Sequence, residues 1–350
     1  MNRRTRNEAA LETSRTAAGA PLLEVEDLEV EFRTPRGIVN AVNKVSFTVA
    51  KGETLAIVGE SGSGKSVTAQ AIMGLVDSPP GFVTGGRLLF HGKDLLELDE
   101  KERRAVRGQR ISMIFQDALT ALNPVFPVGW QIGEMLRVHR GASKKEARER
   151  AIDLMERVGI PSARERVGDY PHEFSGGMRQ RVMIAMALGL DPELLIADEP
   201  TTALDVTVQA QVMELLADLQ QETGMGMILI THDLGVVTEV ADRAAVMYAG
   251  EVVETGTVRS VFTAPAHPYT LGLMRSIPSL DARTADLEPI QGSPPSLTNI
   301  PPGCPFHPRC PFETPECRTD HPQLRPVGAT GPPAPQHAAC HHAEEVLRVD

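Results

Sequence analysis

One run of eight residues constrains this chain more than any other: Gly59-Glu60-Ser61-Gly62-Ser63-Gly64-Lys65-Ser66. It lies between an apolar segment, Thr54 to Val58, and a helix-like stretch, Lys65 to Leu75. Glycines at these positions let successive backbone N–H groups turn inward around an anion. A helix starting at Lys65 aims its positive end at the same point. The run fits G-x-x-x-x-G-K-[ST], with Val67 following. In such a cradle Lys65 neutralises the β- and γ-phosphates of a nucleotide and Ser66 offers its hydroxyl to Mg²⁺. A short buried strand, a cradle and a helix in that order predict an α/β fold with a parallel sheet. A glycine-rich turn with a chance lysine is the alternative, and the flanking strand and helix speak against it.

A second apolar run, Leu194 to Ala197, leads straight into Asp198-Glu199. A hydrophobic strand ending in acid puts that acid at the C-terminal edge of a parallel sheet, where ligands bind in α/β folds. Asp198 suits Mg²⁺ held through its water shell. Glu199 suits a general base that polarises an attacking water. Alone, an Asp-Glu pair reads more often as the solvated first turn of a helix; the cradle upstream favours the catalytic reading.

Length and charge bound the rest. At about 150 residues per domain, 350 residues allow two or three compact units. A net charge of −11 argues against a chain whose task is coating nucleic acid. No stretch approaches the roughly 20 apolar residues of a membrane span. Val182 to Leu190 is too short and reads as a buried helix. Arg3, Arg4 and Arg6 precede no apolar core, so a secretory signal is not expected and residues 1–20 read as a flexible tail in a cytosolic protein. Alternation predicts strands at Leu22–Phe32, Val39–Val49, Arg87–Phe90, Ile111–Phe115 and Met227–Ile230. A hairpin is predicted from Ala244–Tyr248 and Glu251–Val253 around Ala249-Gly250. From Val128 to Met186 the pattern is helical, with Leu154, Met155 and Val158 on one apolar face. Beyond about residue 260 proline becomes frequent. Thr270–Arg275 reads as a last helix, and 278–335 as loop-rich chain. No internal repeat is visible.

Further residues follow in a set order. Gln116 ends the strand Ile111–Phe115. Phe174-Ser175-Gly176-Gly177-Met178-Arg179-Gln180-Arg181 opens a helix. Ala203-Leu204-Asp205 follows the acidic pair, and His232 follows Met227–Ile230. In this order, over about residues 22–260, the chain resembles the ATP-binding-cassette (ABC) ATPases, with a Q-loop glutamine, a signature, a D-loop and a switch histidine. The resemblance implies a RecA-like P-loop NTPase core spanning 21–262, with an inserted α-helical subdomain at about 126–186. It also implies Mg²⁺-dependent ATP hydrolysis in a two-subunit sandwich. Ser175, Gly176, Gly177 and Asp205 would then serve the nucleotide held by a partner's cradle. His232 would steady the attacking water, and Gln116 would touch both the metal region and the coupling surface. Phe32 is the candidate aromatic for stacking on adenine, though a core strand phenylalanine reads equally well. Two signature positions depart from the usual residues: Phe174 replaces Leu and Met178 replaces Gln.

A narrower resemblance rests on Leu122-Asn123-Pro124-Val125, on Met178 to Leu188 and on His267-Pro268-Tyr269-Thr270. These resemble the ATPase subunits, D-like in type, of oligopeptide/dipeptide (Opp/Dpp-type) importers, a group that also serves nickel uptake. The implied function is to power uptake of di- and oligopeptides at the cytoplasmic face of the cell membrane. The implied partners are a second, distinct F-type ATPase chain, two transmembrane permease subunits and an extracytoplasmic solute-binding protein, with no nucleic acid. Alternatives are a nickel or other small-solute importer, or a non-transport ABC ATPase acting on nucleic acid or the ribosome. A kinase or GTPase would leave Ser175-Gly176-Gly177 and His232 unexplained.

The loop-rich extension, 263–350, holds all four cysteines: Cys304, Cys310, Cys317 and Cys340. They do not form a disulfide framework in a reducing chain of this length. Four thiolates suit a [4Fe–4S] cluster or structural zinc, and the extension of some importer ATPases looks like this and carries the cluster. No C-x₂-C pair is present, whereas His307, His337, His341 and His342 keep zinc open. Reduced cysteines in a loose tail are the third reading. A metal would staple a segment too rich in proline to hold itself.

Overall fold

The computed structural model describes residues 20–202, 204–276, 289–328 and 335–349. The tail expected at 1–20, apart from Ala20, and Ala203 of the D-loop lie outside the described residues. The chain divides into two compact units. The first takes the residues up to Ala50, Thr54–Leu96 and Thr231 onward; the second takes Lys51–Glu53 and Glu97–Ile230.

In the first unit, alternation builds an antiparallel sheet in the order β2-β1-β4-β5. Its strands are β1 (Leu23–Thr34), β2 (Gly37–Val49), β4 (Gly81–Phe90) and β5 (Lys93–Asp94). Leu23, Val25, Leu28 and Val30 supply its buried face. Between Val25 and Leu28 the register slips, and Asp27 takes φ 45° there, as a bulge requires. A second set of strands runs in the order β11-β12-β10-β9-β3. These are β11 (Arg325–Val327), β12 (Gln336–Ala338), β10 (Glu251–Thr257), β9 (Arg243–Tyr248) and β3 (Thr54–Val58). Every residue of β3 is buried, and β3 lies parallel to β9, so it reads as an unbroken apolar run. Ala249 and Gly250, at φ 49° and 85°, turn β9 into β10 with the left-handed pair that a tight hairpin needs. β10 runs on to Thr257, four residues past the predicted Val253, because β12 pairs with it at Glu254 and Thr255.

In the second unit, β6 (Ile111–Ile114), β7 (Leu194–Asp198) and β8 (Gly226–Ile230) are parallel neighbours. Helices Val128–Arg140, Lys144–Arg157 and Gly176–Ala187 fill out the helical stretch, and Val206–Thr223 is a further helix beyond it. Ser143 and Glu146 form a reciprocal capping box on the second of these, which sharpens its start. Leu154, Met155 and Val158 are fully buried, as their spacing predicts. Val182, Ile184 and Ala185 are buried within Gly176–Ala187. Among the described residues no helix is long and apolar enough to cross a membrane.

Candidate functional site

The phosphate-cradle sequence leaves β3 and enters the helix Lys65–Met73. Two of its glycines are obligatory. A Cβ on Gly59 would meet the Met247 carbonyl oxygen at 2.2 Å, and one on Gly64, at φ 102°, would meet that of Ala41 at 2.4 Å. Lys65 is buried, and its Nζ donates to the carbonyls of Gly59 (2.8 Å) and Glu60 (2.9 Å). The ammonium therefore already spans the loop. Ser63 is buried too, and its hydroxyl has no hydrogen-bond partner, a cost that an incoming acceptor would remove. Ser61 and Gly62 are exposed, while Ser66 and Val67 are half-buried.

The same unit carries Phe32 and His232. Phe32 is half-buried in β1, opposite Gly81, whose missing Cβ would fall 2.9 Å from its ring. His232 is exposed between buried Thr231 and half-buried Asp233. Asp233 donates its N–H to the Thr231 hydroxyl and caps the helix Leu234–Val240, which holds the His232 turn on both sides.

The second unit gathers the acidic pair, Gln116, the signature and Asp205. Asp198 closes β7 and is 5% exposed. Glu199 follows at φ 45°, a left-handed conformation that costs a non-glycine residue about 1–2 kcal/mol and is typical of functional turns. Its N–H donates to the Ile230 carbonyl at 2.8 Å. Its Oε2 accepts from Gln116 Nε2 and from the Thr202 hydroxyl, both at 2.9 Å. The predicted Gln116 and Glu199 thus meet directly. Ser175 caps the helix Gly176–Ala187 by accepting from the Met178 N–H. Asp205 does the same for Val206–Thr223 by accepting from the Val208 N–H. Gly177 lies so near that second helix that a Cβ would fall 2.6 Å from Val208 Cγ1.

The two unusual signature residues share one neighbour. The Arg166 guanidinium lies 4.4 Å over the Phe174 ring and donates to the Met178 sulfur at 3.5 Å. Aromatic face and thioether are both soft partners for a guanidinium.

The four cysteines are free thiols, with Cys304, Cys317 and Cys340 buried. Each lies within electrostatic reach of the other three. Burial pushes Cys304 up to about 11 and Cys310 and Cys340 up to about 12, so they need a cation to become thiolates at neutral pH. The Phe312 N–H donates to the Cys310 sulfur and the His342 N–H to the Cys340 sulfur, while the His307 N–H donates to the Cys304 carbonyl at 3.0 Å. The Thr314 hydroxyl lies 3.4 Å from the Cys317 sulfur. Among the described residues, the trio of ligand atoms within 4.8 Å of one another is Glu316, Asp320 and His341, which includes no thiol. His307 bonds the Cys304 carbonyl and His342 bonds Thr314, while His337 sits in β12.

Sequence reasoning missed two residues that hold the cradle and a third, Glu254, that anchors the extension. Tyr269 receives the Glu60 N–H on its hydroxyl at 2.7 Å. Arg309 forks the Glu60 carboxylate at 2.6 and 2.9 Å. Glu254, fully buried, accepts from the N–H groups of Ala266 and His267 and from Gln336. The Arg309–Glu60 pair is 249 residues apart in sequence, so no local pattern announces it.

A glycine cradle on a parallel strand, with a second parallel strand ending in a bonded carboxylate, is the arrangement of a P-loop NTPase, and the helix opened by Ser175-Gly176-Gly177 narrows the class to the ATP-binding-cassette ATPases. The solved ATP-binding cassette MJ0796, a dimer bound to ADP and Pi, matches with TM-score 0.61 and 29% identity, over 68% of this chain and 99% of that one. cbiO1 from Clostridium perfringens, part of the ABC transporter complex cbiONQ, matches at TM-score 0.59 and 30% identity, over 69% and 90%. Residues 42–202 fit the ABC transporter family model, and 253–317 fit that of the oligopeptide/dipeptide transporter, C-terminal region. The dipeptide transport ATP-binding protein DppD of Bacillus subtilis is 56% identical over 301 residues, 86% of this chain and 90% of that protein. The oligopeptide transport ATP-binding protein OppD of Salmonella typhimurium is 54% identical over 314 residues, 88% and 93%. The chain belongs to the ABC transporter ATPases, in the branch with the oligopeptide/dipeptide transporter C-terminal region. It hydrolyses ATP.

Proposed function

We propose that this chain is the ATP-hydrolysing subunit of an importer of di- and oligopeptides. The observation that carries the reading is the loaded spring of the cradle: a buried lysine holding two loop carbonyls beside an unpartnered serine hydroxyl. Peptide as the cargo rests on relatives named for dipeptide and oligopeptide transport.

Gly59 to Val67 bind the phosphates, with the Ser63 hydroxyl and Lys65 Nζ exchanging their internal state for phosphate oxygens. Phe32 lies beside adenine. Ser66, Gln116 and Asp198 would hold Mg²⁺, which when bound neutralises charge developing on the β- and γ-phosphates. Glu199, oriented by Gln116 and Thr202, takes the proton of the attacking water. His232 steadies that water. Ser175, Gly176, Gly177 and Asp205 serve the nucleotide of a second ATPase subunit, a related but distinct F-type chain.

The chain sits at the cytoplasmic face of the membrane, bound to two permease subunits that receive solute from an extracytoplasmic binding protein. Support comes from exposed apolar side chains in the same unit as Gln116: Phe115, Val125, Phe126 and Trp130, the last two stacked at 4.3 Å. The four cysteines hold a [4Fe–4S] cluster in preference to zinc. Four thiols in one segment suit such a cluster, and the N–H···S bonds to Cys310 and Cys340 suit cluster thiolates.

The test is uptake. Vesicles carrying the chain with its permeases and receptor should accumulate peptide only with ATP, and Lys65→Ala should stop both uptake and nucleotide binding. Uptake of nickel and not of peptide would move the chain to the metal-importing branch.

A further inference from the structure

Glu60 puts a carboxylate on a loop that must receive a polyanion. Left alone, that charge opposes ATP. The C-terminal extension supplies its counter-charge. Arg309 donates Nη1 to Glu60 Oε2 at 2.6 Å and Nη2 to Oε1 at 2.9 Å, the fork geometry that only a guanidinium offers. Its Nε donates to the Gln291 carbonyl at 3.0 Å, and its side chain is 4% exposed. The pair is thus shielded from water on the arginine side, where ion pairing acts most strongly. Tyr269, fully buried, takes the Glu60 N–H on its hydroxyl. Tyr248, Tyr269 and Phe306 pack together, tilted or edge-on, with ring centroids 4.6 to 5.5 Å apart. Lys65 grips the Gly59 and Glu60 carbonyls from within the loop, so Glu60 is held at its carbonyl, its amide and its carboxylate.

We propose that Arg309 and Tyr269 are positioning residues of the ATP site: Arg309 cancels the Glu60 charge and Tyr269 fixes the Glu60 amide, so that the extension tunes nucleotide affinity through one loop residue. This rests on the reading that Gly59–Ser66 binds the phosphates.

Charge gives the proposal a signature that mere structural support lacks. Arg309→Gln strands a carboxylate beside the phosphates and should raise the KM and Kd for ATP about tenfold, the effect of one unit charge over roughly 10 Å at a protein surface, with kcat changed far less. The loss should shrink as salt rises. Glu60→Gln added to Arg309→Gln should recover most of the affinity, although it restores no contact. Arg309→Lys, a charge without the fork, should fall between. If Arg309→Gln fails to fold, Arg309→Lys and Tyr269→Phe decide. Tyr269→Phe should bind ATP several-fold more weakly than the native chain.

Native ATP affinity in Arg309→Gln, or no recovery in the double variant, overturns the proposal. So does native binding in Tyr269→Phe. Lys65→Ala separates this failure from that of the loop reading. If Lys65→Ala destroys binding while Arg309→Gln does not, only the positioning role is lost; if Lys65→Ala binds normally, the loop reading itself falls.

Discussion

Glu199 occupies a left-handed turn with two donors on one carboxylate oxygen, and Gly177 occupies a gap with no room for a methyl group. These are constraints of single residues. Val208 is β-branched and has few rotamers with which to retreat. Gly177→Ala should therefore destabilise the second unit by about 1–3 kcal/mol and lower ATPase activity more than Gly176→Ala, since Gly176 meets nothing nearer than Leu204 at 4.0 Å. Thermal melting and steady-state turnover of both variants check this; equal effects would mean that the helices do not close on Gly177. Residues of this kind were partly legible. The cradle could be read because its meaning is contiguous, from Gly59 to Ser66. The departures Phe174 and Met178 could be seen but not understood, because Arg166, which joins them, lies 8 and 12 residues upstream with no motif of its own.

Among elements, β3, β7 and the hairpin of β9 and β10 were legible from apolar runs and turn residues. β11 and β12 were not. Three residues each carry too little periodicity to register, and their pairing depends on β10, some 80 residues away. Their anchor is Glu254, which ties Gln336 of β12 to the start of the helix Pro268–Arg275. Burial pushes Glu254 up to about 7 from an ordinary 4.5 and pushes His267 down to about 3 from 6.5. The signs oppose. The raised carboxylate contributes stability below pH 4.5 that is lost as pH rises through about 7. The depressed imidazole contributes stability above pH 6.5 that is lost as pH falls. Between 4.5 and 6.5 the two slopes, each at most about 1.4 kcal/mol per pH unit, largely cancel. Glu254→Gln should uncover the His267 slope, so that urea unfolding shows stability falling as pH drops from 6.5 to 4.5. A profile as flat as the native one would refute the opposition.

The cysteine segment belongs to the same scale. Cys304 and Cys317 pack in one apolar cluster with Tyr248, Tyr269 and Phe306, so loss of the proposed metal staple should loosen more than the tail. Protein purified without oxygen should be brown and contain iron and sulfide, and Cys310→Ser should lose both the colour and several degrees of melting temperature. A colourless native sample with one equivalent of zinc would replace the cluster.

For the whole molecule, the proposed mechanism calls for a second ATPase subunit. The cradle belongs to one compact unit and the signature helix to the other. The proposed partner subunit places its own signature over this cradle. The family order of motifs made this scale the most legible, since each motif reports a position in a shared fold. The grip of the extension on the cradle was the least legible, because it exists only after folding.

The decisive measurement is ATP turnover by Glu199→Gln in the assembled complex, with bound nucleotide counted in parallel. Turnover should drop by at least about a hundredfold while ATP remains bound at native occupancy. Native turnover in that variant would contradict the assignment of Glu199 as the base and, with it, the proposed coupling of hydrolysis to transport.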